Sequence, residues 1–339
     1  MIEIDGSYGE GGGQIIRTAL ALSALTEQAC RIKNIRKGRP NPGLQNQHLA
    51  AVSAMQEICN AEVSGNKLGS TELIFSPKDL RFGAVDISIP TAGSVGLVLQ
   101  PIMIAASHAK NDINIKIDGG ATHGKWAPPI SYIKEVLLNH LTKFGYKASI
   151  EIERYGYYPR GGAKLEMVIQ PCKLGKINLT ESGKVKEIFG YSHASLHLKE
   201  KKVAERQAME AATILNKIFG TKISIDANYY DTLNPGSGIE IFARMEKTIL
   251  GSDALGEIKK SADEVGTEAA EKLVEQINNN GAVDEYAEDQ LLPYMALTGG
   301  EIKVGKLTEH AKTNMWVIEK FLPVKFEVDE ESKIIRCNK

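Results

Sequence analysis

Seven histidines occur in the chain, and the setting of one of them invites chemistry. His310, in "KLTEHAKTNMWVIEKFLP", falls in a loop between a strand-like segment and the chain's last helix, off any apolar stripe. A neutral imidazole near pH 7 is a competent nucleophile, although a lone loop histidine is usually plain surface. A second stretch, "DGSYGEGGGQIIR", places five glycines around Glu10 and ahead of Arg17. It is not a Walker loop, because no lysine lies between Met1 and Arg31, and it misses the G-x-G-x-x-G spacing as well. What remains is a strand, a glycine turn and a helix whose apolar stripe is Ile15, Ile16, Ala19, Leu20 and Leu22. The first backbone N–H groups of such a helix favour an anion. A turn that merely lets strand and helix pack is the alternative, but it has no need of the charges on Glu10 and Arg17.

Two further stretches carry charge where a fold alone does not ask for it. "RIKNIRKGRPNPGLQNQH" has five basic residues in nine, then a proline-stiffened loop with Gln45, Gln47 and His48. Guanidinium groups grip phosphate oxygens in pairs, so Arg36 and Arg39 suit a phosphate-end clamp; a solvated charged strand is the plainer reading. "DEYAEDQLLPYMAL" opens a helix with Asp284, Glu285, Glu288 and Asp289. Acids in a first turn complement the helix dipole. The same pattern also offers Tyr286 as a stacking surface and Asp289 as a metal or ribose ligand. Pro128 and Pro129 read as a helix-start signal. His193 and His197 are expected to be non-ligands, since "HASLHL" reads as a strand with no carboxylate beside it.

An internal repeat supplies the elements that must hold these residues. "GGGQIIRTALALSAL", "VGLVLQPIMIAAS" and "AEDQLLPYMALTGG" each show a glutamine at an expected helix start, Gln14, Gln100 and Gln290, then an apolar helix and a strand. Each continues into a second helix and a closing pair of strands. The fold class expected is therefore α/β (α+β), with three β-α-β-α-β-β repeats forming one large domain. Gln14 and Gln100 are 86 residues apart, whereas Gln100 and Gln290 are 190 apart. The excess places a small α/β domain at 184–278 inside the third repeat, leaving 1–183 and 279–339 as the large domain.

Composition narrows the class. A chain of 339 residues with 42% hydrophobic content can bury a sizeable core. The formal net charge of −1 does not mark a general polyanion binder. Four scattered cysteines without a C-x-x-C pair suit reduced thiols and a cytoplasmic location. The N-terminus lacks a signal pattern, and the longest apolar run is broken by Gln100 and Pro101, so no membrane span is expected.

Taken together the motifs resemble the RNA 3′-terminal phosphate cyclases. The matching strings are "DGSYGEGGGQIIR", "IRKGRPNPGLQNQHL", "TAGSVGLVLQ", "YYPRGG", "VAERQ", "NPGSGI", "EYAEDQLLPYMAL" and "EHAKTNMWVIEKFLP", which run in family order to about Phe326. The chain departs from the family at His123, Gly124 and Lys125, where an Asn- or Asp-rich turn is usual, and at Ala163, where a third glycine is usual. The resemblance implies an ATP-consuming conversion of an RNA 3′-terminal phosphate into a 2′,3′-cyclic phosphodiester. His310 becomes the nucleophile that accepts AMP. Tyr286 and Pro128 are expected to sandwich adenine, with Gln100, Ala287, Glu288, Asp289 and Gln290 lining the nucleotide site. Glu10 and Asp289 are expected to hold a divalent metal, Mg or Mn, and Arg17, Arg36, Arg39, Gln47 and His48 the RNA phosphate. The 2′-hydroxyl explains a preference for RNA. Two alternatives stand beside this reading: a non-catalytic RNA-binding assembly factor on the same scaffold, which the presence of His310 disfavours, and an enolpyruvate transferase, whose six repeats exceed the three found here. Oligomeric state stays open, with a homodimer as one option.

Overall fold

The computed structural model describes residues 1–80 and 83–339. Its first unit runs β1 (Ile2–Asp5), α1 (Gln14–Thr26), β2 (Cys30–Lys33), α2 (Asn46–Ile58), β3 (Glu62–Ser64) and β4 (Leu73–Ser76). The second runs β5 (Ala84–Ser94), α3 (Val95–Ala105), β6 (Ile113–Ala121), α4 (Ile130–Tyr132), a π turn (Ile133–Leu137), α5 (Leu138–Lys143), β7 (Lys147–Arg154) and β8 (Lys164–Gln170). A third opens with β9 (Ile177–Leu179) and is interrupted by β10 (Val185–Ser195), α6 (Val203–Ile218), β11 (Lys222–Tyr230), β12 (Ser237–Met245), β13 (Ile249–Leu255) and α7 (Ala262–Asn278). It resumes with α8 (Glu285–Thr298), β14 (Gly300–Lys303), α9 (Glu309–Phe321), β15 (Lys325–Asp329) and β16 (Ile334–Asn338).

The three sheets share one strand order: β1-β2-β4-β3, β5-β6-β8-β7 and β9-β14-β16-β15. In each, the first two strands are parallel and the other pairings antiparallel. A parallel pair requires a crossover. α1 and α3 supply it in the first two units, and the inserted segment with α8 supplies it in the third. The strands bury one face. In β6, Ile113, Ile115 and Ile117 point inward while Asn114, Lys116 and Asp118 face out.

Two expectations need correction. First, α1 does not present a stripe: every residue from Gln14 to Ala24 is buried. The helix packs on α2, α3 and α9 at once, so it is apolar or small nearly all round, and its one buried charge, Arg17, is held by a hydrogen bond to Gln100. Second, the three glutamines do not share a helical position. Gln14 is the first residue of α1, but Gln100 and Gln290 lie a turn and a half inside their helices. The starts are earlier because the Ser94 hydroxyl accepts a hydrogen bond from Leu97 N, and Asp284 Oδ1 accepts from Tyr286 N and Ala287 N.

The interrupting segment forms a fourth sheet, β11-β10-β12-β13. α6 and α7 pack on it over a core of Ile188, Leu215, Ile239, Ile241, Leu250, Val265 and Leu273. It is tied back to the rest through Asp284, whose Oδ2 accepts from Gly251 N at 2.8 Å and whose Oδ1 accepts from the Tyr132 hydroxyl. The expectation of no carboxylate beside His193 is also overturned. Antiparallel pairing sets Glu240 of β12 opposite Tyr191 of β10, on the strand face that His193 shares, and His193 Nε2 lies 3.2 Å from Glu240 Oε2. Among the described residues no helix is long and apolar enough to cross a membrane.

Candidate active site

The glycine loop after β1 is pressed between two helices. Gly9 has φ +55°, and a Cβ there would stand 2.3 Å from Thr313 Oγ1 on α9. A Cβ on Gly13 would stand 2.4 Å from His48 Nε2 on α2. Both contacts are closer than atoms can approach, so glycine is what lets the loop reach α9 and α2 together. α9 starts at Glu309, with the Thr308 hydroxyl accepting from Ala311 N at 3.0 Å. His310 is therefore in the first turn of the helix, not in a loop before Ala311, because the threonine cap begins the helix earlier.

Several groups converge there. His310 Nε2 lies 2.7 Å from Glu10 Oε2. Arg39 Nη2 donates to the same carboxylate oxygen at 3.4 Å, and Gln14 Nε2 donates to the backbone carbonyl of His310 at 2.7 Å. A Cβ placed on Gly12 would lie 3.4 Å from Arg39 Nη2, 3.7 Å from Gln14 Oε1 and 4.0 Å from His310 Cε1. The space above Gly12 is thus ringed by a guanidinium, an amide and the imidazole. The side-chain oxygen of Gln14 is buried and accepts no hydrogen bond there.

The charges around this space are set by burial and by each other. Burial lowers the pKa of His310 below the ordinary 6.5; Arg17 and Arg39 add to the fall, and Glu10 opposes it. The N-terminus of α9 acts in the same direction as the arginines. Burial and the arginines thus favour the neutral imidazole, the form that attacks phosphorus, although the side chain is 48% exposed and Glu10 pulls the other way. Arg17 is buried, and its Nε donates to Gln100 Oε1 at 2.6 Å. Burial lowers Arg17 to about 10 against the pull of Asp289, so it stays charged at neutral pH. Burial pushes Asp289 up to about 7 against Arg17, and Glu10 adds to the rise. Burial likewise pushes Glu288 up to about 8. Its Oε1 accepts from Thr308 N at 3.0 Å, so Glu288 steadies the start of α9. Asn314 completes the lock between α1, α8 and α9: it accepts from Thr18 Oγ1 at 2.5 Å and donates to the Asp289 carbonyl at 2.8 Å.

The remaining expected site residues lie around this group in different roles. His48 is buried behind the loop. Its Nδ1 accepts from Gln45 N at 2.9 Å, and burial, with Arg17 and Arg36, lowers it to about 3. Arg36, at φ +53°, donates through Nη1 to the carbonyls of Asn41 at 2.7 Å and Gly43 at 3.2 Å, closing its own loop. Gln47 Oε1 accepts from Ser94 N at 3.4 Å. Gln290 donates to the Tyr286 carbonyl at 2.9 Å, and Ala287 is wholly buried. Tyr286 is half-buried with its ring set edge-on to Tyr132, centroids 5.3 Å apart; Pro128 is half-buried as well. Sequence reasoning missed Thr308, Asn314 and the hydrogen-bonding role of Gln14. Of these only Thr308, three residues ahead of Ala311, had a signal in the form of a cap.

Three like-ordered α/β sheets, with a glycine loop that brings a histidine, carboxylates and arginines together, make up the class of fold and site found here. The comparisons with known proteins give the class its family. The family described as RNA 3′-terminal phosphate cyclase matches residues 8–328. A protein named RNA 3′-terminal phosphate cyclase from Pyrococcus abyssi is 46% identical over 335 residues, 98% of this chain and 96% of the relative. Proteins of the same name from Methanococcoides burtonii and Methanopyrus kandleri are each 44% identical, covering 100% and 97% of this chain and 99% and 95% of those relatives. The chain belongs to the RNA 3′-terminal phosphate cyclase family.

Proposed function

We propose that this protein uses ATP to convert an RNA 3′-terminal phosphate into a 2′,3′-cyclic phosphodiester, with His310 as its nucleophile. The observation that carries this reading is the convergence of His310, Glu10, Arg39 and Gln14 about Gly12. His310 Nε2 attacks the α-phosphorus of ATP; the bond to the β-phosphate oxygen breaks and pyrophosphate leaves. An oxygen of the RNA 3′-phosphate then attacks the same phosphorus, breaking the P–N bond and freeing the imidazole. Finally the adjacent 2′-oxygen attacks the RNA phosphorus, loses its proton, and AMP departs with its bridging oxygen. Splitting one hard displacement into three lets each proceed with a good leaving group.

Arg39 and Arg17 offset charge on the transferring phosphoryl group, and Arg36, Gln47 and His48 hold or shape the loop that meets the RNA end. Glu10 and Asp289 suit a divalent cation, Mg or Mn. Desolvation pushes Asp289 up to about 7 against the pull of Arg17, with Glu10 adding to the rise, and a cation would favour both carboxylates in their charged form. When bound, such an ion neutralises the phosphates and polarises the phosphorus under attack. In this reading Tyr286 and Pro128 take adenine between them, with Gln100, Ala287, Glu288 and Gln290 on the walls of that site. The large domain, 1–183 with 279–339, carries the chemistry, 184–278 is an inserted domain, and the protein acts in the cytoplasm. The test is incubation of a 3′-phosphorylated RNA oligonucleotide with ATP and Mg or Mn. A 2′,3′-cyclic end, AMP and pyrophosphate in equal amounts support the proposal, with no cyclisation of the matching DNA. An RNA that is bound and returned unchanged would favour an assembly factor.

A further inference from the structure

A second cluster of titratable side chains sits where the fourth sheet meets the second unit. His123 lies in the turn after β6, His193 on β10 and Glu240 on β12, and all three are almost wholly buried. His123 Nδ1 is 3.2 Å from Glu240 Oε1, and His193 Nε2 is 3.2 Å from Glu240 Oε2. One nitrogen or oxygen from each residue lies within 4.8 Å of the others. Around a tetrahedral ion with bonds of about 2.0–2.1 Å, neighbouring ligand atoms stand about 3.3 Å apart. The nitrogen–oxygen separations match that spacing: Glu240 Oε1 alone lies 3.2 Å from His123 Nδ1 and 3.3 Å from His193 Nε2.

Within the cluster His193 Nε2 meets Glu240 Oε1 at 3.3 Å, but other atoms are left in need of a partner. Neither ring nitrogen of His123 makes a hydrogen bond, and neither does Glu240 Oε2, although all three are buried. The ion pairs that Glu240 makes among the described residues are with His123 and His193, and an imidazole carries charge only when protonated. A buried carboxylate and buried ring nitrogens without partners are costly. One divalent cation satisfies them together. The next layer has the form such an ion requires. Tyr157 Oη lies 2.5 Å from His193 Nδ1, which leaves Nε2 facing the carboxylate, and the Ser131 hydroxyl donates to Glu240 Oε1. Gly238 keeps the space clear, since a Cβ there would crowd both histidine rings at 3.1–3.2 Å.

We propose that His123 Nδ1, His193 Nε2 and the Glu240 carboxylate, with one water as the fourth ligand, bind one zinc ion, which staples the fourth sheet to the turn after β6. Two imidazoles and a carboxylate form a donor set that zinc favours. Burial of all three donors suits a structural ion rather than one that meets substrate.

The test uses the full chain, purified without chelator and with one added equivalent of zinc, then desalted and analysed for metal. One zinc per chain is expected, and cobalt(II) in its place should show the visible absorption of a tetrahedral site. Glu240→Gln and His193→Ala should each lose at least nine-tenths of the metal, while His197→Ala, at an exposed position, should keep it. His123→Asn gives a milder variant where the others fail to fold. Wild-type protein that retains no zinc, or variants that retain as much as wild type, would overturn the proposal and leave a metal-free imidazole–carboxylate cluster.

Discussion

Glu10 Oε2 stands 2.7 Å from His310 Nε2, joining the first loop of the chain to its last helix. The contact sets two effects against each other. The carboxylate pulls the histidine pKa upward, which works against attack, while in the proposed mechanism the same carboxylate holds a cation.

Glu10→Gln separates these effects. The variant removes the upward pull, so His310 is unprotonated at least as fully as before. We nevertheless expect the single-turnover rate of enzyme–AMP formation to fall roughly 10²–10³-fold, the usual loss when one electrostatic partner of a transition state is removed. A rate equal to or above wild type would show that Glu10 only restrains the imidazole.

Arg17 and Gln100 make a buried hydrogen bond at 2.6 Å. Arg17→Met leaves the Gln100 oxygen unpaired and Asp289 without its cation, and should cost about 3 kcal/mol in urea unfolding. Adding Gln100→Leu should restore roughly 1 kcal/mol or more, because an unpaired buried amide is replaced by an apolar group. Strictly additive losses would mean the two side chains are not coupled.

His140 provides a pH test remote from the chemistry. Its Nε2 lies 3.0 Å from the Ile249 carbonyl, and burial, with Lys143 adding, lowers its pKa to about 3. The unfolded chain takes up this proton near pH 6.5 and the folded chain does not. The stability that His140 contributes is therefore complete above pH 6.5 and is lost as pH falls toward 3, at up to about 1.4 kcal/mol per unit. Between pH 7 and pH 5, His140→Gln should lose about 2 kcal/mol less stability than wild type. Equal losses in the two proteins would place His140 in a solvated setting.

What the sequence disclosed depended on how local the signal was. The β-α-β-α-β-β order of each unit was legible in the repeat, and a strand such as β6 buries one face while the other meets water. The glycine loop and His310 were legible as a candidate site, and the structure brings them together, but the start of α9 was misplaced because the Thr308 hydroxyl caps it earlier. Aligning repeats on Gln14, Gln100 and Gln290 failed for a related reason, because Ser94 and Asp284 begin their helices earlier. Glu240 beside His193 could not be read at all. It depends on the pairing register of β10 with β12, which no local pattern encodes. The contacts of Asn314 likewise arise only where three helices meet.

The central claim is that His310 carries AMP, and ATP labelled at its α-phosphate tests it directly. With Mg or Mn present, label should become bound to wild-type protein through a bond that is labile in acid and stable in alkali, as a phosphoramidate is. His310→Ala should carry no label, while His48→Ala, altered behind the glycine loop, should still carry it. Undiminished labelling of His310→Ala, or label held through an acid-stable bond, would contradict the account.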